Sequence, residues 1–280
     1  MKNFTITEAD INRFKSHLLN AEKSIATIEK YVRDTRAFLS YVNNAAFNKK
    51  SVLAYKEWLS GRYKTSSANS MLGALNSLFR FLGKQNLCVK QFKVQRAAYC
   101  SEDKELSKQE YYRLISTARN KQNEKLSLII QTICSTGIRV SELKFITVEA
   151  VNKGEAVVEL KGKTRKIFII PELKNKLIRY IKSQKITNGS VFLSKNGKPV
   201  LRNNVWRDMK SLCKQANVSR SKVFPHNLRH LFARTFYGIE KDIAKLADIL
   251  GHSNVNTTRI YIISSGLEHR QKMQNMRLIM

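Results

Sequence analysis

The chain has 280 residues, 42% of them hydrophobic, which is enough to bury the cores of one large or two ordinary domains and excludes a disordered polymer. Lys and Arg number 51 against 21 Asp and Glu, a formal net charge of +30. The excess is +11 over residues 1–100 and +19 over residues 101–280, so a basic tail on a neutral body is excluded as well.

A field of this sign attracts polyanions, and nucleic acid is the commonest large one. Four cysteines, Cys88, Cys100, Cys134 and Cys213, fall at irregular spacing without a C-x-x-C pair. They read as reduced thiols, with neither a disulfide framework nor a zinc site expected. The opening MKNFTITEADINRF has no apolar signal core, and no run approaches the length of a membrane span. The expected location is the cytoplasm, on the nucleoid in a bacterium, with no membrane partner.

Taken in chain order, residues 1–88 read as four helices and almost no strand. Thr7–Leu19 opens with T-x-x-D and repeats Ile11, Phe14 and Leu18 on one face. Ser24–Asn43 and Ser66–Leu82 hold a similar period, the latter stopping at Gly83. Ser51–Ser60 carries Val52, Tyr55, Trp58 and Leu59, and Gly61 is expected to end it. The outer faces of this small bundle would carry Arg33, Arg36, Lys49, Lys50, Arg62, Lys64 and Arg80, as phosphate contacts or as solvated surface. Periodicity disappears over 89–105, which places an interdomain linker there.

Ser107-x-x-Glu110 is a capping box that starts a helix over 108–119. An apolar helix, Lys125–Ser135, runs into TGIRVSEL, with a stop at Gly137 and a new helix near Arg139. Strands are expected at Ala150–Val151, Ala156–Leu160 and Arg165–Ile170. The last two are joined by a Lys161-Gly162-Lys163-Thr164 turn. Pro171–Ser183 reads as helix, GSVFLSKNGKPV as a short strand with an Asn196-Gly197 turn, and Arg202–Asn217 as a basic helix. A further helix is expected near 266–278.

The densest stretch for chemistry is 224–262, FPHNLRHLFARTFYGIEKDIAKLADILGHSNVNTTRIYI. Pro225 suits the first turn of a helix, where a missing N–H costs nothing. His226 and Arg229 then stand at i and i+3 on one face, with Leu228, Leu231, Phe232 and Phe236 toward the core. A second run, Asp242–Leu250, stops at Gly251; His252 follows, and Tyr261 lies nine residues beyond it. Any one of these residues alone reads as packing or as a phosphate contact. Their co-occurrence at tight spacing does not.

The stretch resembles the C-terminal motif of the tyrosine recombinases, the family of phage integrases and Xer-type recombinases. The residues that carry the resemblance are H-x-x-R at 226–229, L-G-H at 250–252 and the tyrosine at 261, with PH, LRH and NTT-x-x-Y around them. TGIRVSEL is similar to the first arginine motif of the same family. The resemblance has specific motifs over 107–280 and covers 1–100 only by size, helicity and position.

It implies a mostly α (α+β) protein, with a helical core DNA-binding domain at 1–88 and a mainly helical catalytic domain at 106–280 containing a small antiparallel sheet. Arg139 and Arg229 become the phosphate-binding arginines, with Glu142 a structural acid nearby. His226 becomes the base, His252 a hydrogen-bond donor to the phosphate and Tyr261 the nucleophile. The hairpin lysine that protonates the leaving oxygen is Lys161, with Lys163 as runner-up because the turn is set differently from the commoner GKGNKxR form. Tyr237 is expected to pack.

These groups suit phosphoryl transfer through a 3′-phosphotyrosyl link that keeps the bond energy, so neither ATP, cofactor nor metal is expected. The implied partner is double-stranded DNA with inverted half-sites, bound by four protomers, with a partner recombinase or accessory protein left open. The extra N-terminal arm-binding domain of lambda-type integrases is not expected, and simple core sites are. The competing readings are a type IB topoisomerase-like relaxation of DNA and a non-catalytic DNA-binding or nucleoid protein on the same fold.

Overall fold

The computed structural model describes residues 3–94, 104–160, 163–262 and 273–276. The chain divides into two compact units, Met1–Arg96 and Ala97–Met280.

The first unit is built from four helices, α1 (Glu8–Asn20), α2 (Ile25–Tyr41), α3 (Lys49–Arg62) and α4 (Thr65–Phe81). Polar side chains start the first three: Thr7 with Asp10 in a capping box, Ser24, and Asn48. Each supplies an acceptor to a backbone N–H that the helix itself leaves free. Phe14, Phe38, Phe47, Tyr55, Leu75 and Phe79 fill the core, with Phe38 edge-on to Phe47, Tyr55 and Phe79. Gly61 does not end α3, which runs on to Arg62 before Tyr63 turns extended. One glycine in an exposed final turn costs less than the packing of Tyr55 and Leu59 gains. Arg33, Arg36, Lys50, Arg62, Lys64 and Arg80 are exposed, whereas Lys49 is half-buried and donates to the Cys88 carbonyl.

The second unit begins with α5 (Lys108–Asn120), capped by Ser107 and Glu110, and α6 (Glu124–Thr136). After Gly137 the chain makes not an α-helix but a 3-10 turn, Val140–Phe145. The expected strand at Ala150–Val151 is helical: these residues sit in α7 (Val148–Lys153). Thr147 caps its start and Gly154, in the left-handed region, ends it. Those two signals flank an apolar pair too short to declare its own period.

Strands β1 (Glu155–Leu160) and β2 (Lys163–Phe168) pair antiparallel, Glu155 with Phe168 through Leu160 with Lys163. Lys161 lies outside the described residues. Helix α8 (Pro171–Ser183) follows, and a single bridge, Leu193 with Pro199, closes the Asn196-Gly197 turn. The basic helix α9 is shorter than expected, Arg202–Lys210, and turns occupy the segment up to Asn217.

Three further helices follow: α10 (Pro225–Glu240), α11 (Ile243–Leu250) and α12 (Val255–Ile262). α6 packs along α10 in the centre, burying Ile130 and Ile133 with Leu228 and Leu231. Of the helix expected near 266–278, residues 273–275 are helical and the greater part lies outside the described residues. Among the described residues no helix is long and apolar enough to cross a membrane.

Candidate active site

The site forms where two helices end against a third. α6 stops at Gly137 and α11 at Gly251, both left-handed, with φ of +65° at each. A helix C-terminus leaves carbonyls without partners and carries partial negative charge. Arg229, on α10, inserts between these two ends. Its guanidinium donates to the Gly137 carbonyl and, at 2.6 Å, to the Leu250 carbonyl. The residue is 1% exposed, so an arginine that α10 turns inward is held by two helix termini rather than by a carboxylate. Burial and the neighbouring Arg139 charge lower its pKa to about 10, which leaves it charged at neutral pH.

Both glycines are also needed for space. A Cβ on Gly137 would stand 2.5 Å from Cδ1 of Phe232, and one on Gly251 would stand 2.7 Å from Cδ and Nη1 of Arg165.

Arg139 lies at the rim, with 38% of its side chain exposed. Its Nη1 donates to Glu142 at 2.9 Å and its Nη2 to the Gly251 carbonyl at 3.3 Å. Glu142 is 1% exposed and divides its oxygens: Oε1 takes Arg139, while Oε2 takes the Arg139 backbone N–H at 2.8 Å and Arg165 Nη2 at 2.5 Å. A buried carboxylate is tolerable only with such pairing.

His252 is tied on both sides. Nε2 lies 3.0 Å from Arg229 Nη2, and Nδ1 lies 2.9 Å from Thr258 Oγ1. A guanidinium can only donate, so Nε2 accepts and the proton resides on Nδ1, donated to Thr258. Burial first, then the charges of Arg229, Arg139 and Arg165, lower the His252 pKa to about 4, so the ring is neutral.

Tyr261, on α12, is 5% exposed, and its hydroxyl lies 3.2 Å from Nε2 of His226. His226 is held neutral by burial and by the charges of Arg229, Arg139 and Arg202, which shift its pKa below the ordinary 6.5. A neutral imidazole at this distance can take the phenolic proton. His230, one turn along α10, packs against the Tyr261 ring with centroids 4.2 Å apart and meets His226 edge-on at 4.9 Å. Tyr237 packs at the margin of the small apolar cluster around Tyr261.

The fold therefore brings together Arg139, His226, Arg229, His252 and Tyr261, five of the six residues expected from the sequence. Lys161 lies outside the described residues; Lys163 opens β2 opposite Leu160. Sequence reasoning did not single out His230, Thr258 or Arg165. The LRH triplet carried His230 in plain view, but nothing in the sequence separates Arg165 from the other cations of a basic hairpin.

A cleft of about 580 Å³, lined by Arg139, Arg202, Trp206, His226 and Arg229, opens on one side. A second, of about 340 Å³, is lined by Arg139, Thr164, Arg165, Gly251 and His252. The site thus offers fixed positive charge and a phenol hydroxyl within hydrogen-bonding reach of a neutral imidazole. Among the described residues no group of three or more His, Cys, Asp or Glu is placed to hold a metal ion.

This is the equipment of an enzyme that attacks a phosphodiester through a tyrosine. The Phage integrase family model matches residues 104–266, and that of the phage integrase N-terminal SAM-like domain matches residues 11–86. The chain belongs to the phage integrase family, and it is a site-specific tyrosine recombinase that cleaves and rejoins DNA strands.

Its likeness within the family is Xer-like. Tyrosine recombinase XerA of Pyrococcus horikoshii is 30% identical over 226 residues, 78% of this chain and 76% of that protein. Tyrosine recombinase XerD of Halalkalibacterium halodurans is 27% identical over 272 residues, 88% and 90% of the two chains. With XerD of Staphylococcus saprophyticus the identity is 34% over 157 residues, and the match spans 52% of each protein. Among solved structures, that of XerA recombinase is 25% identical, covering 98% of this chain and 100% of the other, with a TM-score of 0.53. A lambda integrase (75–356) dimer bound to a COC′ core site shares the fold at 18% identity, covering 92% and 95%, with a TM-score of 0.75.

Proposed function

We propose that Tyr261 is the nucleophile of this recombinase and His226 the group that takes its proton. The observation that carries the assignment is the 3.2 Å approach of the Tyr261 hydroxyl to His226 Nε2, beside the buried guanidinium of Arg229. Arg229 and Arg139 hold the non-bridging oxygens of the scissile phosphate, whose charge grows as the tyrosine attacks. The P–O bond to Tyr261 forms, the P–O5′ bond breaks, and the tyrosine proton passes to His226. Lys161, with Lys163 as its alternative, gives a proton to the departing 5′ oxygen. The products are a 3′-phosphotyrosyl link and a free 5′-hydroxyl, and rejoining is the reverse. Because the link preserves the bond energy, neither ATP nor a metal is required.

His252 completes the set on one condition. To donate to a phosphate oxygen, as the resemblance implies, its proton must move from Nδ1 to Nε2 and the bond from Arg229 must be given up.

Residues 1–88 serve as the core DNA-binding domain, joined through 89–105 to the catalytic domain at 106–280. The DNA carries inverted half-sites, and four protomers act on a pair of sites; the family resemblance supports both statements. The enzyme works in the cytoplasm, on the nucleoid, in integration and excision, dimer resolution or inversion, with a partner recombinase or accessory protein where the site requires one.

The test is the chemistry of the broken ends. A nicked duplex from DNA flanking the gene, incubated with protein in EDTA and without ATP, should yield a 5′ end that a polynucleotide kinase can phosphorylate directly and a 3′ end attached to protein. A 5′ end already phosphorylated, or dependence on added Mg²⁺, would refute the mechanism.

A further inference from the structure

Arg165 stands on β2, two residues beyond Lys163, yet its side chain turns away from solvent and is 12% exposed. It spans the two supports of the phosphate cradle. Nη2 donates to Glu142 Oε2 at 2.5 Å, and Glu142 holds Arg139 through its other oxygen. Nη1 donates to the Leu250 carbonyl, which also receives Arg229 and immediately precedes the turn that presents His252. Gly251 lies so close that any Cβ there would stand 2.7 Å from the Arg165 side chain.

From this geometry, and resting on the phosphoryl-transfer reading above, we propose that Arg165 is a positioning residue that sets the reach of Arg139 and the His252 turn toward the scissile phosphate. The mechanism is a division of acceptors. Glu142 is buried and offers two oxygens, and an arginine facing a free carboxylate closes on both as a fork. Arg165, together with the Arg139 backbone N–H, fills Oε2, so the Arg139 guanidinium spends one Nη1 proton on Oε1 and one Nη2 proton on Gly251, leaving its other donors for DNA. Without Arg165, Glu142 draws Arg139 inward as a closed pair, and the Leu250 carbonyl loses one of its two donors. A lysine retains the charge but, as a point donor, cannot bridge Glu142 and Leu250 in the same plane.

The discriminating experiment compares wild type and Arg165→Lys in single-turnover covalent trapping on two DNAs. One is ordinary; the other carries a methylphosphonate at the scissile position, which removes the charge that the arginines serve. On ordinary DNA the variant should react roughly 100-fold more slowly, the scale of a misplaced catalytic group, with DNA affinity little changed. On the methylphosphonate the two proteins should react at nearly the same rate. Gly251→Ala, which displaces the same guanidinium, should show the same pattern.

An equal deficit on both DNAs would mean that Arg165 only maintains the fold and would overturn the inference, as would an undiminished rate on ordinary DNA. Failure of wild type itself to form a covalent complex would instead overturn the catalytic reading on which the inference rests.

Discussion

The hydroxyl of Tyr261 lies 3.2 Å from Nε2 of His226 within one and the same chain. The proposed nucleophile and base thus meet without DNA, and the guanidiniums of Arg229 and Arg139 are already ordered by helix-end carbonyls and Glu142. The two guanidiniums are therefore preorganised as fixed positive charge, the arrangement that makes electrostatic catalysis effective, while His252 must still exchange its Arg229 bond before it can donate.

This pairing predicts how cleavage depends on pH. Burial and three arginines lower the His226 pKa from the ordinary 6.5, so the base form persists below that pH. The acid limb of a single-turnover cleavage profile should therefore lie below pH 6.5, with activity falling only as His226 takes a proton. His226→Leu should cleave roughly 10²–10⁴-fold more slowly, the usual contribution of a positioned base, and should lose that limb. A wild-type limb above 6.5 would show that another group is titrating.

Gly137 should be intolerant of any side chain. Its φ of +65° is left-handed, and a Cβ would stand 2.5 Å from the Phe232 ring. Gly137→Ala is expected to cost about 1–3 kcal/mol, read as a lower urea midpoint at unchanged slope. Since the Gly137 carbonyl also anchors Arg229, cleavage should fall with it. An unshifted midpoint would show that the α6 end relaxes freely.

The histidine cluster predicts acid sensitivity of the fold. Burial first, then neighbouring positive groups, lower the pKa of His230 to about 3 and that of His252 to about 4. In the unfolded chain both return to the ordinary 6.5 and bind protons that the folded state refuses. Stability is thus unaffected by these groups above that pH. It declines as pH falls from 6.5 toward 4 for His252 and toward 3 for His230. Thermal unfolding at pH 7 and pH 4.5 should show the decline, and His230→Phe, which cannot take the proton, should shrink it. A variant with the same pH slope as wild type would show that His230 does not contribute to the acid sensitivity.

Much of this is legible in the sequence itself. Pro225 and the apolar spacing behind it announced α10, and Gly137 and Gly251 announced the two helix ends that hold Arg229. Those are local signals, written within one turn of the residues they control. Where the outcome depends on partners distant in sequence, the sequence was silent. Arg165 meets Glu142, 23 residues away, and Leu250, 85 residues away, and no local pattern separates it from a solvated strand cation. The polarity of His252 was equally hidden, because it depends on Arg229 and Thr258 flanking the ring from two different helices. Ala150–Val151 misled for the opposite reason: two apolar residues carry too little period to outweigh the caps at Thr147 and Gly154.

The central claim, that Tyr261 attacks DNA, is tested most directly by trapping on a nicked suicide duplex made from DNA flanking the gene, with wild type and Tyr261→Phe compared on a denaturing gel. Wild type should give a covalent protein–DNA band and Tyr261→Phe none, both proteins binding the DNA alike. A band that persists with phenylalanine at 261 would contradict that claim and assign the nucleophile elsewhere.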